Sequence, residues 1–191
     1  MATIDISAKI IGNTELAQTL ARLSSHDIPK AIRGGVRYAA RGAKTVLAKE
    51  ITARYTLKSA RIKQDIKDPT YKDGGMTAVI RTGRRPITMK QYGARVVRSG
   101  LSVSIFRGER FVAERAFLRV GGSNNELLPF RRQGRPRIPL DVLHGPSIHG
   151  IYSGGKHAQA LQQATEERIG QQLEKGILRE LGRMGRGFGG T

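Results

Sequence analysis

The sequence contains no cysteine among its 191 residues, which excludes disulfides, thiolate metal sites and a cysteine nucleophile. A chain without cysteine suits folding in a reducing compartment such as the cytoplasm. No apolar run approaches the roughly 18 residues that a membrane-spanning helix needs. Residues 1–9 also lack the basic and then apolar pattern of a secretory signal peptide. We therefore expect a soluble protein that is not exported by a cleaved leader.

Aromatic and acidic residues are both scarce. Aromatics make up 5% of the sequence, which disfavours modules that bind nucleic acid by stacking bases on exposed rings. Only 15 acidic residues oppose 34 Lys and Arg, so the formal net charge is +19. Such an excess repels itself in a compact fold and attracts polyanions. The charge fits four interpretations: solubility, nucleic-acid binding, binding to an acidic protein surface, and binding to anionic lipid.

Periodic apolar residues predict helices at both ends of the chain, at 15–23, 28–53, 56–66 and 156–181. The helix over 28–53 has one apolar stripe, formed by Ile28, Ile32, Val36, Ala39, Ala43, Leu47 and Ile51. Its opposite face is basic and carries Lys30, Arg33, Arg37, Arg41, Lys44 and Lys49. Small residues at Gly34, Gly35 and Gly42 predict close packing against another helix, so that Gly35→Leu should disrupt folding or assembly.

The middle of the chain is predicted to be rich in strands, because short alternating segments are separated by turn signals. The predicted strands span residues 76–82, 95–98, 101–106, 111–120, 127–132 and 138–143. We expect an α+β fold in which a small antiparallel sheet packs with two long helices and carries extended loops or arms. One domain would cover residues 1–181, with helical 14–66, β-rich 76–143 and a C-terminal helix at 156–181. The Gly/Arg-rich residues 182–191 would form a flexible tail.

The sequence supplies no recognisable catalytic or metal-binding set. The four histidines have no neighbouring cluster of ligands. Ser147 and His149 lie near each other, but the glycine-flanked nucleophile turn of hydrolases is absent. Glu166 and Glu167 fit the solvated face of a helix. We therefore predict that the protein is not an enzyme and has no catalytic residues, metal or cofactor.

Arginine dominates the charge of the β-rich middle, and its planar fork suits phosphate and carboxylate groups. Because no base-reading motif is present, contact with DNA would be made to the backbone. The candidate residues for a DNA channel or a subunit interface are Arg84, Arg85, Arg131, Arg132, Arg135 and Arg137.

Four segments of the sequence, at residues 111–117, 128–132, 134–140 and 143–148, resemble the prophage minor tail protein Z family, whose members are tail-completion or neck proteins of lambda-type phages. The positions that carry the resemblance are Pro129, Phe130, Pro136, Ile138, Pro139, Gly145, Pro146 and Ser147. The order of a long helix, a β-rich middle and a second long helix fits as well.

The resemblance implies a structural virion protein at the head-to-tail junction of a siphophage-like particle, assembled in the host cytoplasm. Its implied partners are copies of itself in a ring, expected to be a hexamer, and a tail terminator, tail tube or head-closure protein. The backbone of phage DNA is a further partner, and no membrane is expected. The loops at 121–125 and 145–155 are candidate arms between subunits. The alternatives are a basic nucleic-acid-binding protein without sequence preference, an enzyme, and a protein of the membrane surface.

Overall fold

The computed structural model describes residues 3–7, 27–121 and 125–187. Within them lie four α-helices and eleven short strands, which confirms the α+β prediction. The helix predicted at 15–23 and the last four residues of the predicted tail lie outside the described residues.

The helices are α1 (Asp27–Arg54), α2 (Ser59–Asp65), α3 (Ile148–Gly154) and α4 (Ala158–Gly187). The helices predicted at 28–53, 56–66 and 156–181 correspond to α1, α2 and α4. α4 runs six residues beyond its predicted end, so residues 182–187 are helical rather than part of a flexible tail. Met184 packs with Ile177 and Leu181 against Ala31 of α1, and this contact outweighs the low helix propensity of the neighbouring glycines.

The strands form several small antiparallel sheets instead of the single sheet predicted. One sheet has the order β1-β3-β2, with β1 (Thr3–Ser7), β2 (Thr70–Lys72) and β3 (Thr77–Arg81). A second has the order β5-β6-β7, with β5 (Arg95–Val97), β6 (Gly100–Val103) and β7 (Phe111–Glu114). A third has the order β10-β9-β8, with β8 (Ala116–Gly121), β9 (Glu126–Arg132) and β10 (Leu140–Val142). A short pair joins β4 (Ile87–Thr88) to β11 (His144–Gly145).

The strand predicted at 111–120 is two strands, β7 and β8, which belong to different sheets. Arg115 separates them with a φ of 56°, a left-handed conformation that a continuous strand does not contain. The backbone N–H of Arg115 donates to the carbonyl of Ser99 at 3.0 Å, at the turn between β5 and β6. The apolar residues Phe111, Phe117 and Val120 lie on both sides of the break, so the sequence pattern does not reveal it.

The chain divides into two compact units, each assembled from separate segments. The helical unit comprises the described residues up to 47, together with 66–82 and those from 159 onward. The β-rich unit comprises residues 48–65 and the described part of 83–158. Because each unit draws on segments far apart in sequence, no linker composition marks the boundary.

The helical unit is held together by a close crossing of α1 and α4. A Cβ on Gly176 would lie 2.9 Å from Gly35 Cα, and a Cβ on Gly35 would lie 2.4 Å from Ile177 Cγ1. Apolar residues along both helices are buried in this unit, among them Val36, Leu47, Leu161, Ile169 and Leu181. The glycines therefore permit the close packing that the sequence suggested.

The core of the β-rich unit consists of Tyr55, Leu57, Ile62, Ile87, Tyr92, Leu101, Ile148 and Ile151, all almost fully buried. Some arginines brace this unit. Arg110 Nη2 donates to the carbonyl oxygens of Gly93 at 3.1 Å and Ser102 at 2.9 Å. Part of the arginine excess is thus structural.

Candidate functional site: the Gly-Pro-Ser turn and the basic surfaces

The Gly-Pro-Ser turn at 145–147 connects β11 to α3 within the β-rich unit. A Cβ on Gly145 would lie 2.6 Å from Tyr92 Cε2, so only glycine fits against that ring. The hydroxyl of Tyr92 donates to the carbonyl of Pro146 at 2.6 Å, and burial raises the pKa of Tyr92 above its ordinary value of 10.0. Ser147 Oγ accepts from the backbone N–H of Gly150 at 3.0 Å and caps α3. All three residues of the motif therefore serve to place α3.

The helix α3 occupies most of the 145–155 segment that was predicted to be an arm between subunits. Its Ile148 and Ile151 are fully buried and Tyr152 is 6% exposed. This segment is therefore core rather than an exposed loop. The sequence signal for the helix was the serine at its N-cap, which the proline and glycine neighbours obscured.

The remaining positions of the resemblance divide into buried and exposed groups. The carbonyl of Pro129 accepts from the backbone N–H of Leu143 at 2.8 Å. Phe130 stacks on Phe117 with ring centroids 6.3 Å apart. Pro136, Ile138 and Pro139 lie exposed in the β9–β10 connection, where Ile138 is 71% exposed. Pro129 and Phe130 therefore stabilise the β10-β9-β8 sheet, whereas the apolar side chain of Ile138 is exposed to solvent.

The six candidate arginines are all exposed and all belong to the β-rich unit. They lie before β4 (Arg84 and Arg85), at the end of β9 (Arg131 and Arg132) and in the β9–β10 connection (Arg135 and Arg137). In the described part of the chain, none of the six forms an ion pair with a carboxylate. They are therefore available to an external anion.

The structure does not bring all six arginines to one face. Successive side chains of a strand point to opposite faces, so Arg131 and Arg132 are directed away from each other. The guanidinium of Arg132 lies 5.9 Å from the centre of the Phe117 ring, whereas Arg131 stands opposite Asp141 in the β9–β10 register. The sequence located exposed charge here but not its division between two faces.

Within the described residues, no group of three His, Cys, Asp or Glu could hold a metal ion. His157 packs edge-on against Phe106, with centroids 5.4 Å apart. Burial, and after it the positive charge of Arg84, lowers the pKa of His149. No helix in the described part of the chain is long and apolar enough to cross a membrane.

A second basic surface lies in the helical unit, to which the sequence analysis assigned no function. The cations on the outer face of α1 border a groove of about 630 Å³ together with Arg179 and Arg183 of α4. The regular four-residue steps of Arg33, Arg37 and Arg41 were visible in the sequence. The contribution of α4 was not, because it depends on the crossing of two helices about 140 residues apart in the chain.

The candidate site thus consists of side chains that stabilise the fold and of exposed cations. A comparison with known families shows to which family the chain belongs. The family model of prophage minor tail protein Z (GPZ) matches residues 10–186. The chain belongs to this family. The resemblance noted at residues 111–148 is thereby confirmed and extends over almost the whole sequence. No curated protein and no solved structure gives a significant match.

Membership in the minor tail protein Z family gives the chain a structural role in a phage tail, as part of the virion and in contact with other tail or virion proteins. The Gly-Pro-Ser turn and the β10-β9-β8 sheet both lie inside the matched range. In this minor tail protein Z, these motifs therefore stabilise the fold.

Proposed function

We propose that this protein completes the tail at the head-to-tail junction of a siphophage-like particle, without enzymatic activity, as a ring around the DNA channel. The observation that carries the proposal is the family match over residues 10–186. The geometry supports the absence of enzymatic activity, because Ser147, which lies two residues before His149, is engaged as the N-cap of α3.

Assembly into a ring requires a surface that meets a different surface of the next copy. The β8–β9 hairpin is a candidate for one side of that contact. Val120 is 54% and Leu127 is 40% exposed, and the two are directly paired across the hairpin. Paired apolar side chains at a hairpin tip gain stability when a partner buries them. We expect the hairpin to be an arm between subunits of a homo-hexamer.

The arm can be tested on the isolated protein by native mass spectrometry or by light scattering. Val120→Ser with Leu127→Ser should lower the oligomeric state, because it removes apolar contact area. The matched control is Leu178→Ser, which alters another exposed leucine, 42% exposed, on α4 of the helical unit. An arm variant that assembles as well as the control would contradict this part of the proposal.

The channel role predicts that exposed arginines of the β-rich unit hold the end of packaged DNA by its backbone. Reversing the charge of Arg131, Arg132 and Arg135 to Glu should reduce DNA retention and infectivity. A control with the same change in net charge reverses Lys90, Arg98 and Arg119, which are exposed in the same unit. If the first triple variant retained DNA and infectivity, the assigned arginines would be wrong.

Electron microscopy of lysates from the phage that lacks this gene tests the whole proposal. Defective tails, unjoined heads and tails, or complete particles that do not infect would each support a completion role and identify the failed step. Normal infectious particles would refute it. They would favour the alternative, a nucleic-acid-binding protein without sequence preference, for which the net charge of +19 is the supporting observation.

A further inference from the structure

The helical unit contains a groove whose lining side chains are mostly cationic, and we call it the α1–α4 groove. Its volume is about 630 Å³. The basic residues that line it are Lys30, Arg33, Arg37 and Arg41 of α1 with Arg179 and Arg183 of α4. Gly34 and Gly176 belong to the same lining, because the helices approach each other there without side chains between them.

The groove contains too little negative charge to balance these six cations. Glu180 is the one carboxylate of its lining. It lies across Gly34, where an added Cβ would be 2.3 Å from Glu180 Cγ, and it bonds to Arg183 at 3.4 Å. In the described part of the chain, Lys30, Arg37 and Arg41 form no ion pair. Like charges four residues apart on a helix repel each other, so an external anion would stabilise this surface.

The arrangement of the cations is linear. Arg33, Arg37 and Arg41 follow one another at four-residue steps on α1, each step advancing about 6 Å along the helix axis. Two further arginines, Arg179 and Arg183, have the same spacing on α4. A row of this kind matches an extended anion with regularly repeated charges better than it matches a single compact ion.

The composition of the lining favours phosphodiesters over an acidic protein. Five of the six cations are arginines, whose forks bind phosphate in a bidentate manner. Protein partners are usually anchored by aromatic or apolar side chains in pockets, but the one ring in the lining, Tyr38, has the guanidinium of Arg179 5.8 Å from its centre. The same contact occupies the ring that a base would otherwise stack on.

We propose that the α1–α4 groove binds the phosphate backbone of a nucleic acid without sequence preference. This inference concerns residues other than the six arginines of the proposed channel. It does not depend on where the protein sits in the particle.

The test uses the full-length protein and a short, labelled DNA duplex of mixed sequence, with binding followed by fluorescence anisotropy between about 50 and 200 mM NaCl. The groove variant is Lys30→Gln with Arg37→Gln and Arg41→Gln. The control is Lys90→Gln with Arg98→Gln and Arg119→Gln, exposed residues that belong to neither proposed DNA site, and it lowers the net charge equally. Glutamine keeps a good helix propensity on α1, and circular dichroism verifies that both variants are folded.

We expect the groove variant to lose at least about tenfold in affinity at the lower salt concentration. The slope of log affinity against log salt should become shallower by about 2.7, since each lost phosphate contact contributes about 0.9. The control should change both quantities much less. Equal losses in the two variants would show that only net charge matters and would overturn the proposal, as would a larger loss in the control.

Polyglutamate of comparable length serves as the second probe. If it bound the wild type as tightly as the duplex did, and the groove variant lost both, the surface would be one for acidic proteins and the proposal would be wrong. None of these results depends on particle assembly. A failure of the groove inference is therefore distinguishable from a failure of the tail-completion role, which is judged on virions.

Discussion

Two glycines on the same helix should respond in opposite directions to the same substitution. Gly176 lies at the crossing of α1 and α4, where a new Cβ would stand 2.9 Å from Gly35 Cα and 2.9 Å from Tyr38 Cβ. Gly170 lies six residues earlier on α4, is exposed, and has no atom within 4 Å of an added Cβ. The pair therefore separates packing from helix propensity.

The magnitude follows from two opposing terms. Replacing glycine by alanine inside a helix contributes about 1 kcal/mol of stability through propensity, and for Gly170→Ala nothing opposes it. At Gly176 the obstructing atoms are Gly35 Cα and Tyr38 Cβ, which cannot rotate away, so we take the upper part, about 2–3 kcal/mol, of the usual cost of overpacking. Gly176→Ala should then destabilise the protein by about 1–2 kcal/mol, and the two variants should differ by about 2–3 kcal/mol.

Urea unfolding followed by circular dichroism measures both variants against the wild type. For a chain of this size, the difference corresponds to melting temperatures about 4–12 °C apart. If Gly176→Ala proved as stabilising as Gly170→Ala, the helices would not be as close at the crossing as the structure has them. The account of the helical unit would then fail.

Three further predictions concern the Gly-Pro-Ser turn and its contact with Tyr92. Ser147→Ala should destabilise the protein by about 1 kcal/mol through loss of the α3 cap, whereas Ser147→Thr should have a melting temperature close to that of the wild type. Equal melting temperatures for all three proteins would refute the capping role. Tyr92→Phe should cost about 1–2 kcal/mol, because the carbonyl of Pro146 loses its buried donor, whereas Tyr71→Phe, at a 42% exposed position, should be neutral. Because burial raises the pKa of Tyr92 in the folded state, the unfolded state loses its proton first, so stability should fall as the pH rises above about 10. Tyr92→Phe should flatten that fall in urea unfolding measured from pH 9 to 11, and an unchanged slope would contradict it.

The long helices were predictable from sequence because their apolar positions recur at three- and four-residue steps over many turns. The limits of α4 were not, since Met184 extends the helix through a contact with the core around Ala31, which is distant in sequence. The break at Arg115 was missed for a similar reason. A single left-handed residue moves the chain from one sheet to another, and arginine is not a residue type that predicts this conformation.

The candidate surfaces were predictable only in part. The exposure of the six central arginines follows from their charge. The opposite orientation of Arg131 and Arg132 depends on β9 extending through both residues, and the turn signals in the sequence do not determine where that strand ends. The basic face of α1 was predictable from the sequence, because its cations recur at helical spacing. That it borders a groove depends on Gly35 and Gly176 bringing α4 against it, and no local pattern encodes that contact.

The excess charge makes association of copies and binding of a polyanion respond to salt in opposite directions. The proposed ring of subunits, each carrying +19, is opposed by mutual repulsion, so raising the salt from about 50 to 500 mM should favour self-association by screening it. Binding of DNA should weaken over the same range, since it depends on released counterions. If salt dissociated the oligomer instead, the contacts between subunits would be ionic rather than apolar. The assignment of Val120 and Leu127 to the subunit interface would then be wrong, whatever the groove binds.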